Sequence, residues 1–175
     1  ADVAIEASLT GHLVLSTLHT NGAVETVVRL LDLGCDSFNF ADAMQGVLAK
    51  RLCKRICVNC KEPYRPTAQE YDKLVHAYGR QTWEGLGVGN REDFQLYRGR
   101  GCDACKQTGL KGRVALHELL SGSDEMRNLI QNRAKTTEMQ RLAEKEGMVT
   151  LVQDGVLKIL AGLTTYEQVR AVAMK

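Results

Sequence analysis

Six cysteines stand in this chain of 175 residues, and four of them form two matched pairs. Cys57-Val-Asn-Cys60 and Cys102-Asp-Ala-Cys105 are both Cys-x2-Cys, with 41 residues between them. Zinc takes four ligands in a tetrahedron, and two such turns supply two sulfurs each from opposite sides. The sulfur binds as thiolate, and a turn that aims backbone N–H groups at it favours that form. An iron–sulfur cluster and a disulfide pair are the other uses of this spacing. The start of the chain, Ala1 to Gly11, shows no basic region followed by a long apolar run, so no signal peptide is expected. A reducing cytosol is then the expected compartment, and metal the expected use of close cysteine pairs.

Four thiolates leave no coordination position open, so the site is expected to be structural. Metal-assisted hydrolysis needs a vacancy, and no His-Glu-x-x-His occurs in the chain. His117-Glu118 is an isolated pair and reads as a strand end. Cys53 and Cys35 read as small buried side chains. Basic residues surround the pairs: Lys50, Arg51, Lys54, Arg55 and Lys61, then Arg98, Arg100, Lys106, Lys111 and Arg113. Nucleic acid or anionic lipid is one partner for such clusters. The preferred reading is that they offset the anionic metal–thiolate centre, because aromatics are only 5% of the chain.

A second group of polar residues lies near the N-terminus. His12 and His19 bracket the apolar run HLVLSTLHT. Its β-branched residues and short length predict a strand over 12–18, buried on both faces as in a parallel sheet. At strand rise the two histidines are on the order of 20 Å apart and cannot serve one atom. His19 follows the strand's C-terminal end, where ligands bind in open α/β sheets. Ser16, Thr17 and His19 are therefore candidates for sensing a phosphate, and His12 reads as a helix–strand junction contact.

The elements that must hold these residues alternate in kind. A helix is expected over 2–10, closed by Gly11. Another is expected over 22–33, with Val24, Val27, Val28, Leu30 and Leu31 mostly on one face and Thr20 or Asn21 as cap. Residues 37–47 read as helix and 48–56 as strand. Both prolines and the glycine-rich stretch of Gly85, Gly87 and Gly89 lie around the cysteine pairs, with a short helix over 68–78. This segment has a small core and needs a staple. A strand over 113–120 precedes helices over 123–132, 136–146 and 150–161. Thr136 or Thr137 is the expected cap of the second, and Thr164 or Thr165, with Glu167, of a last helix. The pattern is α/β. Net charge is +2, too balanced for a dedicated nucleic-acid binder, and no apolar run is long enough to span a bilayer.

Taken together, these residues resemble the ATPases that power type II secretion and type IV pilus assembly, the general secretory pathway protein E-like family. LTGHLVLSTLHTN resembles their histidine box. RLCKRICVNCKEPY followed by GCDACKQTGLKGRVALHELL resembles their tetracysteine zinc element, and EGMVTLVQDGVLKILAGLTTYEQVRAV their C-terminal helical signature. The resemblance covers nearly the whole chain. It implies the C-terminal part of a RecA-like P-loop NTPase domain with a zinc-knuckle insert and a C-terminal helical bundle. The implied divisions are residues 1–56 for the ATPase core portion, 57–112 for the zinc element, and 113–175 for the last strand and helical subdomain.

The resemblance also implies a homo-hexamer that hydrolyses ATP with Mg2+ at the cytoplasmic face of the inner membrane of a bacterium. An inner-membrane platform protein and a cytoplasmic adaptor are the implied partners, and no nucleic acid. By the same resemblance His12 and His19 are histidine-box residues in catalysis, acting on nucleotide or across the subunit interface, and Cys57, Cys60, Cys102 and Cys105 hold structural zinc. Thr17 and His19, by their place at the strand's C-terminal end, are the expected nucleotide-binding residues. Lys50 stands where the family usually shows Gln, Leu110 where it usually shows Tyr, and Cys53 is an added cysteine. No Gly-x4-Gly-Lys-[Ser/Thr] occurs anywhere in the chain, so the phosphate cradle is absent. The chain is therefore expected to be a fragment, inactive alone, and to dimerise through an exposed strand edge at 12–18. The alternative is a stand-alone zinc-ribbon module that binds a protein or nucleic acid.

Overall fold

Strand β1 (Gly46–Ile56) pairs with strand β4 (Leu110–Ser121) in a two-stranded ribbon. The Gly122 N–H donates to the Gln45 carbonyl at 2.9 Å, and the Cys57 N–H to the Gly109 carbonyl at 2.9 Å, so the strands run in opposite directions. This is a computed structural model, and it describes residues 1–88, 92 and 94–174. Gly89, the last glycine of the glycine-rich stretch, lies outside the described residues. The chain divides into two compact units, one of residues 1–49 and 117–149, the other of residues 50–116 and 150–175.

The first unit is built on helices α1 (Asp2–Leu9), α2 (Ala23–Asp32), α3 (Ser37–Ala43), α6 (Asp124–Gln131) and α7 (Thr136–Lys145). Its core joins Val24, Val27 and Leu31 of α2, Phe40 of α3, Leu120, Met126 and Ile130, and Met139 of α7. Val24, Val27 and Leu31 recur at helical spacing, which is the stripe that read as an amphipathic helix. Each fully buried side chain of this size contributes about 1.5–3 kcal/mol. Asp36 caps α3 by accepting the Asn39 N–H at 2.9 Å, and Ser123 caps α6 by accepting the Met126 N–H at 3.1 Å.

Several expectations change here. Helix α3 stops at Ala43 instead of running to 47, because from Gln45 on the backbone bonds to the β4 end. Neither Thr20 nor Asn21 caps α2: its N-cap is Gly22, and the Ala23 N–H donates to Glu118 Oε1 at 2.7 Å. The α7 N-cap is Lys135, whose N–H donates to Glu138 at 3.3 Å, not Thr136 or Thr137. The largest change is at 12–18, which forms no strand. A strand exists only through its ladder, and among the described residues none lies beside this run. Leu13 and Leu15 are 84% and 88% exposed.

The second unit holds β2 (Lys61–Tyr64), α4 (Ala68–Tyr78), α5 (Arg80–Glu84), β3 (Leu96–Gly99), α8 (Leu151–Leu160) and α9 (Tyr166–Ala173). Strands β2 and β3 are antiparallel, from Lys61 opposite Gly99 to Tyr64 opposite Leu96. Thr67 and Glu70 form the capping box of α4, and Thr150 and Gln153 that of α8. Trp83 is buried, edge-on to Tyr71 at 5.6 Å between ring centroids, and its indole N–H donates to the Tyr71 hydroxyl. The last helix starts at Tyr166, so Thr165 is its N-cap position but makes no side-chain cap bond. Thr164 is fully buried instead, and its hydroxyl donates to the Lys54 carbonyl at 2.8 Å.

Candidate metal centre

The end of β1 delivers Cys57, and Cys60 precedes β2 by one residue. The end of β3 leads to Cys102, and a short 3-10 turn over Asp103–Cys105 carries Cys105. Each pair closes on itself: the Cys60 N–H donates to the Cys57 carbonyl, and the Cys105 N–H to the Cys102 carbonyl. The Arg100 N–H donates to the Cys60 carbonyl and so ties the two turns together.

The four Sγ atoms lie within 4.8 Å of one another. Cys57 to Cys102 and Cys60 to Cys105 are each 3.9 Å, and Cys102 to Cys105 is 3.7 Å. A tetrahedron with metal–sulfur bonds of about 2.3 Å has edges of about 3.8 Å. The set therefore fits one tetrahedral ion. None of the six cysteines is in a disulfide, for which sulfurs must approach to about 2.05 Å. A cluster with inorganic sulfide between its irons needs its thiolates spread wider than this.

Backbone donors complete the fit. The Cys102 and Gly109 N–H groups each donate to Cys105 Sγ at 3.2 Å, and the Gly101 N–H to Cys60 Sγ at 3.4 Å. Burial alone pushes the Cys105 thiol up, but these N–H groups of Cys102 and Gly109, with the neighbouring thiols, outweigh it and bring it down to about 6. Cys60 goes the other way, pushed up to about 11 by burial and by the three other thiols, against the Gly101 N–H. Backbone N–H groups aimed at a sulfur favour the thiolate form that a cation binds.

Gly109 was not among the residues that the motifs single out, yet much passes through it. It accepts from Cys57, donates to Cys105, and has φ +71°. Its backbone runs so close to Gly99 that a Cβ at either position would overlap the other. The available signal was a glycine four residues after the last cysteine. Cys53, the added cysteine, lies outside the cluster, buried with its Sγ 3.5 Å from the Thr164 hydroxyl. Cys35 is buried in the core of the first unit, as its position implied.

His12 and His19 both belong to the first unit and have different surroundings. His12 Nδ1 lies 3.3 Å from the Ala7 carbonyl and 3.4 Å from the Thr10 hydroxyl, a contact at the end of α1. His19 lines an open pocket of about 300 Å³ with Thr20, Asn21, Glu25, Val28, Arg29, Asp32 and Thr136. His12 and Thr17 do not line it. Glu118, which read as an inert strand end, is buried and occupies the α2 N-terminus beside this pocket. The positive end of that helix is thus already matched by a carboxylate.

The family model described as "Type II/IV secretion system protein" matches residues 1–171, and the chain belongs to that family. It is 42% identical over 171 residues to the type IV pilus assembly ATPase PilB of Thermus thermophilus, covering 98% of this chain and 18% of the relative. It is 44% identical over 169 residues to the type II secretion system protein E of Pseudomonas aeruginosa, covering 97% of this chain and 31% of the relative. The chain thus spans less than a third of the length of these two relatives. Its fold is similar to part of the pilus retraction motor PilT with bound ADP, at a TM-score of 0.58 and 22% identity, over 99% of this chain and 36% of that one. Among the described residues no helix is long and apolar enough to cross a membrane.

Proposed function

We propose that this chain is the C-terminal part of a hexameric ATPase that drives type II secretion or type IV pilus assembly, with a structural zinc in its four-cysteine centre. The 44% identity over 169 residues to a type II secretion system protein E carries this reading. In it, residues 1–56 complete a RecA-like nucleotide-binding core, 57–112 form the zinc element, and 113–175 supply the last strand and the helical subdomain. The exposed run 12–18 becomes an inner strand once the rest of the core flanks it. Thr17 and His19 then face nucleotide with Mg2+, and His12 acts with His19 in the histidine box. The working protein sits at the cytoplasmic face of the inner membrane, against a platform protein and a cytoplasmic adaptor.

Cys57, Cys60, Cys102 and Cys105 hold the ion, which supplies a cross-link and no reactive site. The test is a chimera in which this chain replaces the matching segment of the Pseudomonas aeruginosa relative. The chimera is expected to hydrolyse ATP and lose turnover with His19→Ala, while the chain alone shows none. A zinc-loaded, hexameric chimera without turnover, or one indifferent to His19→Ala, would overturn the reading.

A further inference from the structure

Helix α2 begins with no cap of its own. Its N-cap is Gly22, which has no side chain to offer the first N–H groups, although Ser, Thr, Asp or Asn usually stands there. The missing acceptor comes from β4: Glu118 Oε1 takes the Ala23 N–H at 2.7 Å, from 95 residues along the chain. Glu118 is 8% exposed, and burying a carboxylate costs more than placing a local hydroxyl. The glycine makes room for this arrangement, since a Cβ on Gly22 would stand 3.1 Å from Glu118 Oε1.

The two kinds of cap do different things. A side chain at position 22 would close the helix end but move with it. Glu118 ties that end to another element, and the turn before α2 goes with it. The turn is bonded along its length. The Thr26 hydroxyl donates to the Gly22 carbonyl at 2.9 Å and lies 2.6 Å from the Thr20 hydroxyl, and the Asn21 N–H donates to Glu25 at 3.3 Å. Thr20, Asn21, Gly22 and Ala23 are thus each bonded to α2 or to β4. His19 is the next residue back, exposed and lining the pocket. On its other side the run 12–18 forms no ladder. What holds His19 in this unit therefore reaches it through the turn.

We infer that Glu118 is a positioning residue for His19: by fixing the start of α2 on β4, it sets where the His19 ring stands against nucleotide in the assembled ATPase. The inference rests on the proposed function, which gives His19 that task. Glu118 acts through the helix N–H and need not touch the nucleotide. A displacement of about 1 Å in a group that serves the reacting centre can cost about 100-fold in rate. The phosphate cradle is absent from this chain, so loss of the pin is read in turnover and not in ATP affinity.

The test uses the chimera with the Pseudomonas aeruginosa relative. Glu118→Ala is expected to lower kcat about 10- to 100-fold, with the KM for ATP within about twofold, in hexamers of unchanged zinc content. Glu118→Gln keeps an acceptor for the Ala23 N–H and should hold kcat within about fivefold of the parent. Added to His19→Ala, Glu118→Ala should cost less than about twofold more, because the ring it places is already gone; a merely structural loss would add in full. Gly22→Ala crowds the carboxylate without removing it, and takes the place of Glu118→Ala if that variant does not assemble, with the same fall in kcat expected. In the chain alone, the Asn21 and Thr26 amides, which do not donate to Glu118, should exchange hydrogen roughly 5- to 150-fold faster in Glu118→Ala, and by more than those of α6. Unchanged kcat in a chimera that needs His19, full additivity with His19→Ala, or faster exchange at Ala23 alone would overturn the inference. A chimera indifferent to His19→Ala sinks the proposed function instead, and exchange in the chain alone still decides whether Glu118 holds the turn.

Discussion

The cysteine centre and the histidine-bearing run begin from equally legible motifs and reach opposite states. The centre is complete within this chain: four sulfurs at tetrahedral spacing, with backbone donors on two of them. The run from His12 to His19 is exposed, unpaired in any ladder, and leaves its two histidines in different surroundings. A Cys-x2-Cys turn carries its own geometry, because each pair is set by bonds three residues apart. A buried parallel strand carries none, because its hydrogen bonds and both its faces belong to neighbours.

The largest effect that can break this comparison is at the centre. Cys57→Ser or Cys102→Ser is expected to abolish the stoichiometric zinc that plasma mass spectrometry should find in the unmodified chain. The β2–β3 strand pair has a small core of its own, so its amides should lose protection in hydrogen exchange while those of α2 and α6 keep theirs. Zinc should also leave as pH falls, since protons compete for the thiolates. Retention of the ion in both variants would mean that the four sulfurs are not its ligands.

The next effect tests whether the first unit, too, is closed by its own residues. Glu118→Ala removes the acceptor of the Ala23 N–H and is expected to cost about 1–3 kcal/mol. Glu118→Gln keeps an oxygen there and should cost less than half as much. Urea unfolding measures both. Equal losses would mean that charge at the α2 terminus matters more than the hydrogen bond.

What could be read from the residues alone divides along the same line. Helices 2–10, 68–78, 123–132 and 150–161 were legible to within about two residues, because caps and apolar spacing are local. The clustering of the four cysteines was legible from spacing. The strand at 12–18 was not, since Leu13, Val14, Leu15 and Leu18 have the composition of a buried strand without anything to bury them. Glu118 and Gly109 were missed for the converse reason. Glu118 acts on Ala23, far along the chain, and Gly109 on Gly99 across the cysteine turn, and neither falls in a motif that names its partner.

A smaller effect separates the α4 cap from the metal it shares a unit with. The Thr67 N–H, which donates to Glu70 at 2.8 Å, lowers the Glu70 carboxyl below its ordinary value of 4.5; burial opposes this, and the Thr67 and Tyr64 hydroxyls and Lys73 assist it. A carboxyl lowered on folding stabilises the fold above its unfolded value, and that share is lost as pH falls through the folded one. Glu70→Gln keeps the capping box, as Gln153 does in α8, and should therefore lose only roughly 0.3–1 kcal/mol at neutral pH and show less acid destabilisation below pH 4.5 than the parent. Thermal melts between pH 3 and 7, at constant zinc content, would show it. An unchanged acid limb would place the acid sensitivity in the cysteines.

The smallest effect is the most pointed test of the exposed run. Leu15→Ser replaces a side chain that is 88% exposed, so stability should move by no more than about 0.5 kcal/mol. Burying the same leucine as an inner strand residue makes its loss worth about 2–5 kcal/mol, as for any large core side chain cut short. The same substitution should therefore be nearly silent in this chain and severe in the chimera described above. In this chain it should instead lower self-association by light scattering, because an apolar run without a ladder is a template for a second copy. A loss of more than about 1 kcal/mol here, with the chain monomeric throughout, would mean that residues 12–18 already have a partner in this molecule. The contrast with the cysteine centre would then collapse.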